Sequence, residues 1–386
     1  MKNSHVKSFS LIWLLGFFAS FARATFYPLI PFLAFELGLS FSQMGWITSI
    51  TYTIYAASQL PAGYLTDKIG FKKVMIGGAV IAALGLILGF TAKSYSTILV
   101  AQALIGIGSS ASLTPATSAI AKMFTSSRRG FAEGLLLSYV NASIALSLLI
   151  GGWIAEAFSW RFVYALSAVL IIMVTAVFLV FSRGIPALEA PSISIKRIVR
   201  VFNLNSLLLM LCIAMEVIGF QALLTYVPRY LVDVGGLTSG LAVTLAAFAH
   251  LAAIFSRPLA GKASDIVGRK LVIIATLFSG GIFSYLLMFN PSSPIIEASL
   301  FACWGLTYTG MYPVAITLIA DVTEKDLRGT GIGLVTSVAL FLGGLLQERL
   351  GYAIDTLGYN AFFVLLALIP ALGSLLCLPV KVAKRP

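Results

Sequence analysis

Gly63-Tyr64-Leu65-Thr66-Asp67-Lys68-Ile69-Gly70-Phe71-Lys72-Lys73 returns in altered form as Gly261-Lys262-Ala263-Ser264-Asp265-Ile266-Val267-Gly268-Arg269-Lys270. In each copy an aspartate stands four residues after a glycine, a second glycine three residues further on, and bases follow. Each copy comes directly after a long apolar segment and leads into another. Glycine closes tight turns at no steric cost because it has no Cβ, and a charged turn does not belong inside hydrocarbon. One such turn in each half of the chain therefore predicts a duplicated membrane protein.

Composition points the same way. Of 386 residues, 59% are apolar and 10% charged, against the roughly 25% charge of soluble domains. The chain has too little polar surface to be dissolved in water. Twelve segments are long and apolar enough to span a hydrocarbon core, near 9–36, 43–66, 73–92, 96–122, 130–156, 161–182, 205–232, 238–262, 271–289, 294–320, 329–349 and 358–380; a spanning helix takes about 20 residues. Proline and glycine inside several of them are tolerated in packed bundles. The first carries Arg23 and has no small-residue cleavage site after it, so it is read as a span and not as a removed leader.

The net charge of +12 suggests a nucleic-acid binder until its distribution is followed. With both termini placed in the cytoplasm, 20 Lys and Arg fall on the cytoplasmic side and 4 (Lys93, Arg161, Arg229 and Arg349) on the other. Such an excess in short loops sets orientation. The basic balance is therefore topology, and the expected setting is the plasma membrane with no nucleic-acid partner. Cys212, Cys303 and Cys377 all fall in apolar spans, which indicates neither a disulfide framework nor a metal cluster. No Gly-Lys-Ser/Thr phosphate loop, zinc-ligand spacing or nucleophile constellation occurs. No enzyme, catalytic residue, metal site or cofactor is expected.

Other landmarks recur at a nearly constant offset. Pro31-Phe32-Leu33-Ala34-Phe35-Glu36 pairs with Pro228-Arg229-Tyr230-Leu231-Val232-Asp233 at 197, Asp67 with Asp265 at 198, and Arg129-Gly130 with Arg328-Gly329 at 199. A repeat this long is a duplicated domain. It gives halves 1–182 and 205–386, joined by a cytoplasmic linker over 183–204. That linker holds Pro186, Pro191, Lys196, Arg197 and Arg200, which suits an amphipathic helix on the membrane surface.

Both loop copies resemble the cytoplasmic signature of the major facilitator superfamily. Phe71 stands where a base is usual, and Ala263 and Ile266 replace the usual Leu and base. The resemblance covers essentially the whole chain. It implies an all-α membrane fold of 12 transmembrane helices in two six-helix halves, related by a pseudo-two-fold axis along the membrane normal. It also implies a secondary transporter whose halves rock about a central site and open it alternately to either side; fold alone does not name the solute. By the same resemblance Asp67 helps hold the cytoplasmic side closed, with Gly63, Lys68 and Gly70 around it, and Asp265, Gly268 and Arg269 play the mirrored part. Arg129 and Glu133, near the start of the fifth span, look like part of that latch. The plainer alternative is that the glycines only allow a turn and the bases only set topology.

Arg23 is the sharpest single residue. It lies mid-span, where a charge costs at least ~2.5–3.5 kcal/mol and normally faces a polar interior or a partner. Tyr27 follows one turn on. The run Arg23 to Leu33 resembles the first span of organophosphate and other organic-anion transporters of the superfamily, which place an arginine eight residues before a proline to hold the anionic group. The second-half arginine of the organophosphate group is missing, Phe220 standing in its place. The alternative is that Arg23 braces helices through carbonyls or Glu216. Glu216 lies mid-span in the seventh segment, which corresponds by pseudo-symmetry to the first. As a lone carboxyl it is a candidate proton carrier; beside Arg23 it would form an ion pair worth about 4 kcal/mol at 4 Å and an effective dielectric near 20.

His250, inside the eighth span, is a second coupling candidate, although lone membrane histidines more often serve as hydrogen-bonded helix glue. Arg257, in Arg257-Pro258-Leu259-Ala260-Gly261, resembles the Arg-Pro-x-x-Gly of monocarboxylate carriers and is read as a cytoplasmic anchor. Trp304, Tyr308 and Tyr312 share one face of the tenth span. With Asn141, and with Ser109, Ser110, Ser112 and Thr114, they suggest a cavity of aromatic and hydroxyl groups, with plain helix packing as the alternative. Gln102 precedes Gly106 where proton-linked families usually carry an arginine, and the Gly-Pro-x-x-Gly-Gly of drug antiporters is absent from the fifth span.

The reading is a proton-coupled symporter of a small polar, anionic solute, functional as a monomer. Its partners are the lipid bilayer, the solute and a proton or other ion gradient. The alternative is a proton-driven exporter of drugs or amphipathic compounds.

Overall fold

The computed structural model describes residues 3–124, 126–182, 203–289, 291–324 and 327–381, the side chains of 3–5, 121–122, 126–131 and 328–330 excepted. Most of the expected linker over 183–204 lies outside the described residues, as do the side chain of Arg129 and the chain ends. The regular structure described is helical: α1 Asn3–Ala24, a 3-10 turn Tyr27–Leu29, α2 Ile30–Leu37, α3 Phe41–Ile69, α4 Phe71–Phe90, α5 Tyr95–Met123, α6 Ser126–Ala157, α7 Trp160–Phe181, α8 Leu204–Asp233, α9 Ser239–Val267, α10 Arg269–Leu286, α11 Pro294–Tyr308, α12 Met311–Val322, α13 Arg328–Leu345 and α14 Gln347–Cys377. Hydrocarbon leaves the backbone no water to bond, so a spanning chain of this composition closes its hydrogen bonds inside each helix.

Nine helical stretches among the described residues are long and apolar enough to cross a membrane. The difference from twelve segments has local causes. The stretch Gly331–Cys377 is 47 residues long and counts once, although the helix is interrupted at Leu346. The segment expected near 294–320 is broken between Tyr308 and Met311 into two short helices. The stretch Phe41–Ile69 carries polar residues through much of its length.

The motif glycines act at the backbone. Gly70 joins α3 to α4 at φ +87°, and Gly268 joins α9 to α10 at φ +96°. A side chain with a Cβ is strained there. Each loop is therefore a one-residue hinge between two helices. Three other N-termini are closed by side chains: Ser94 accepts from the Thr97 N–H, Asn203 from Ser206 and Thr238 from Leu241.

The chain divides into two compact units, Met1–Leu39 with Ile50–Ser192, and Ser40–Ser49 with Ile193–Pro386. In the first, α4 and α5 approach so closely that a Cβ on Gly108 would lie 2.4 Å from the Ala82 nitrogen. Small residues of this kind let membrane helices come together where no hydrophobic force drives them. The helix α1 packs on α5, α6 and α7. In the second unit α8 packs on α13 and α14, and α9 on α11. The start of α3 belongs to this unit: Asp355 accepts from the Phe41 and Ser42 N–H groups at 2.9 and 2.8 Å, and Ser49 donates to the Gly344 carbonyl at 2.7 Å.

Candidate functional site

The first span is not one helix. After α1 ends at Ala24 the backbone passes through the Tyr27–Leu29 turn before α2 begins, with Pro28 and Pro31 on either side of the restart. Hydroxyls take up the loosened backbone. Thr25 donates to the Phe21 carbonyl at 2.9 Å and lies 3.0 Å from the Ser167 hydroxyl, and Ser147 donates to the Ala24 carbonyl at 3.3 Å. Broken helices at membrane depth occur where backbone is buried in protein or lines a polar cavity.

Arg23 sits in the last turn before that break and is 7% exposed. Its guanidinium carbon lies 4.1 Å from the centre of the Tyr55 ring and 5.2 Å from that of Tyr52, both on α3. Tyr27 and Tyr139 complete its ring of tyrosine neighbours. Within its unit, and among the described residues, no carboxylate pairs with it. Among the described residues the Tyr27 and Tyr139 hydroxyls are buried without a hydrogen bond of normal geometry, although Tyr52 and Ser112 lie close enough to interact with them. Asn141 is buried on α6, half a turn from Tyr139. The sequence singled out Arg23, Tyr27 and Asn141 but missed Tyr52, Tyr55 and Tyr139. The available signal was two tyrosines three residues apart, on one face of a span that also carries Thr51, Thr53 and Gln59.

A second group of polar residues forms in the other unit. Glu216 on α8 is buried, and the cation whose field reaches it there is Arg257 of α9. The same arginine acts on His250, and its guanidinium carbon lies 5.9 Å from the Tyr312 ring. The Arg257 Nε is buried without a hydrogen bond. Arg257 is half-buried and has Glu216, His250 and Tyr312 as neighbours, which the anchor reading did not name. His250 is 1% exposed, stands edge-on to Phe220 at 5.1 Å, and has no hydrogen-bond partner on either ring nitrogen. Among the described residues no hydrogen bond ties it to another helix.

Phe220, Trp304 and Tyr308 continue as an aromatic stack, with ring separations of 6.1 and 4.6 Å. Their polar atoms are used internally. The Trp304 indole donates to Ser284 at 2.9 Å, and the Tyr308 hydroxyl donates to the Met215 and Glu216 carbonyls at 3.1 and 3.0 Å. Tyr308 reaches those carbonyls because Gly219 and Gly280 leave room for its ring.

The loop motifs lie at helix ends. Asp67 and Asp265 are exposed in the last turns of α3 and α9, the end at which the helix dipole disfavours an anion. Arg269 at the start of α10 forms an ion pair with Asp321 of α12, an aspartate that sequence reasoning passed over. Lys68 extends over Tyr64 at 6.0 Å, and Gly63 lies against the Thr114 side chain. Glu133, near the start of α6, is half-buried.

With this geometry in hand, comparison with known proteins is specific. The Major Facilitator Superfamily profile matches residues 12–347 and 240–386. A multi-drug resistance efflux pump of Streptococcus pneumoniae serotype 4 is 28% identical, over 95% of this chain and 94% of its own. Monocarboxylate transporter 13 of Bos taurus is 24% identical, over 88% of this chain and 80% of its own. Among solved structures, a bacterial homolog of the human lysosomal transporter Spinster, in an inward-facing and unoccupied conformation, superposes with a TM-score of 0.77 at 15% identity, covering 100% of both chains. That structural likeness speaks for the fold. The profile match speaks for descent, and the chain belongs to the Major Facilitator Superfamily of membrane transporters.

Proposed function

We propose that this transporter is a proton-coupled symporter that moves a small polar anion by alternating access, with Arg23 holding the anion and Glu216 carrying the coupling. The observation that supports it most is Arg23 itself: a cation buried in the first span, beside a helix break, with aromatic neighbours and, among the described residues of its unit, no carboxylate paired with it. A charge kept there against its burial cost normally serves a ligand or an ion path. Tyr27 and Asn141 would line the anion's side of the site. In the second unit Trp304, Tyr308 and Tyr312 are proposed as solute contacts, and His250 as a second coupling residue with Glu216.

The proposed topology has twelve crossings in two six-helix halves, 1–182 and 205–386, with both termini cytoplasmic and a linker between. The stretch Gly331–Cys377 favours this count, since its 47 residues would extend about 70 Å as one helix, more than twice a hydrocarbon core of about 30 Å. It is interrupted at Leu346 and at Gly358. Asp67, Asp265, Glu133, Arg129 and Arg269 would act as cytoplasmic latches and Gly63, Lys68, Gly70 and Gly268 as their turns. The functional unit is proposed to be a monomer in the plasma membrane.

The second reading is a proton-driven exporter of amphipathic compounds. It is favoured by the efflux pump's match over nearly its full length and by the buried stack of Phe220, Trp304 and Tyr308. Proteoliposomes decide between them. Under an inward proton gradient the Glu216→Gln variant should retain counterflow exchange of the anion and lose accumulation. Wild-type accumulation by that variant would rule out the coupling role; efflux of amphipathic cations untouched by Arg23→Gln would favour the exporter.

A further inference from the structure

The surroundings of Arg23 restrict which anion it can take. Tyr55 stacks at 4.1 Å from the guanidinium carbon and Tyr52 lies at 5.2 Å. Aromatic rings engage a guanidinium through its face, whereas all five N–H donors lie in its plane as a fork that fits two oxygens side by side. The rings therefore orient the fork and leave its donors for a ligand. Two more donors are close by. The hydroxyls of Tyr27 and Tyr139 are both buried and unbonded, and an orphaned buried hydroxyl gains a full hydrogen bond when an acceptor arrives.

A carboxylate offers about four lone-pair sites on two oxygens. The fork fills two of them and the two tyrosine hydroxyls match the others. Charge closes the count: among the described residues Arg23 is the single charged side chain buried in its unit. A phosphate monoester or a dicarboxylate would bring a second negative charge with no second buried cation among the described residues of this unit to meet it, and an uncompensated buried charge is strongly disfavoured.

We propose that the anion held at Arg23 is a single carboxylate, with Tyr27 and Tyr139 donating to its oxygens and Tyr52 and Tyr55 fixing the guanidinium. The proposal deepens the anion reading above and rests on it. It sets a monocarboxylate apart from phosphate esters, phosphonates and dicarboxylic acids by about a hundredfold or more in affinity.

The test is a thermal-shift and titration series on the purified full chain with matched acids: acetate against methylphosphonate and benzoate against phenylphosphonate, at mildly alkaline pH, where each phosphonate carries two charges. The expected result is stabilisation by the carboxylates and little or none by the phosphonates. Tyr27→Phe and Tyr139→Phe should each weaken carboxylate binding about tenfold or more while the ligand-free midpoint holds. Arg23→Lys, which keeps the charge but loses the fork, should weaken carboxylate binding while phosphonates remain the poorer ligands, because the single buried cation is unchanged. Phosphonates that bind as tightly as carboxylates would overturn the single-carboxylate inference and leave the anion reading standing. Wild-type carboxylate affinity in both tyrosine variants would overturn the assigned hydroxyl roles. Failure of acids of both classes to stabilise the protein would overturn the anion reading, and this inference with it.

Discussion

Arg23→Met separates a ligand-binding arginine from a structural one, and the structure sets the size of each outcome. Burying the charge at mid-span costs at least ~2.5–3.5 kcal/mol. Against this stand two ring contacts, at 4.1 and 5.2 Å, each worth up to about 2 kcal/mol when desolvated. The balance is near zero, because no ion pair or hydrogen bond within the unit adds to it among the described residues. Methionine keeps an unbranched apolar stem and removes both the burial cost and the ring attraction. The folded state of Arg23→Met should therefore lie within about 1 kcal/mol of the wild type, a shift of a few degrees at most in the unfolding midpoint. Binding should respond quite differently. Two hydrogen bonds to a charged ligand, each worth about 1.5–3 kcal/mol, are lost, so carboxylate affinity should fall more than about a hundredfold. Fluorescence-detected thermal melting with and without benzoate measures both. A variant that melts more than about 3 kcal/mol below the wild type would refute the reasoning and make Arg23 a brace.

Three further outcomes follow from the packing. Gly108→Ala should destabilise by about 1–3 kcal/mol or more, because its Cβ would meet the Ala82 nitrogen at 2.4 Å and backbone cannot move aside as a side chain can; an unchanged melting midpoint would contradict the α4–α5 approach. Tyr308→Phe should cost about 1 kcal/mol in stability and leave the solute's KM as it was, since its hydroxyl donates to the Met215 and Glu216 carbonyls; a raised KM with unaltered melting would place that hydroxyl on the solute. Asp355→Ala removes the acceptor for the Phe41 and Ser42 N–H groups and should cost about 1 kcal/mol, at the low end of capping effects because the carboxylate is exposed, as hydrogen exchange at the start of α3 would report.

What the sequence disclosed and what it hid divide along a physical line. Composition and the duplicated Gly–Asp–Gly turn carry the fold class, because membrane solubility and a positive φ each demand particular residue types. Gly70 and Gly268 are legible for that reason. Arg23 is legible because a charge in a span is conspicuous wherever the span sits. Its neighbours are not. Tyr52, Tyr55 and Tyr139 reach it from α3 and α6, and nothing local to those segments says which helix they face. The partner of Arg269 was hidden in the same way, since Asp321 lies on a helix 52 residues further along. Arg257 adds neighbours that its Arg-Pro-x-x-Gly run did not announce: its guanidinium lies near the Tyr312 ring and in the field of Glu216, both on other helices.

The hydroxyls show most clearly why residue type alone does not give function. Serines and threonines in apolar spans suggest a polar lining for solute, yet here many of them are committed to backbone. Thr25 and Ser147 hold the carbonyls at the break after Arg23, and Thr309 bonds the Gly305 carbonyl where α11 stops short of α12. Both interruptions adjoin residues of the proposed site, Arg23 in one unit and Tyr308 in the other. In hydrocarbon a broken helix survives only if its freed groups find partners, so each break requires a local supply of hydroxyls. Those hydroxyls are then spent on the scaffold. Among the described residues the Tyr27 and Tyr139 hydroxyls stay unbonded beside Arg23, and on the proposed reading that remainder, not the full polar content of the spans, would select the solute.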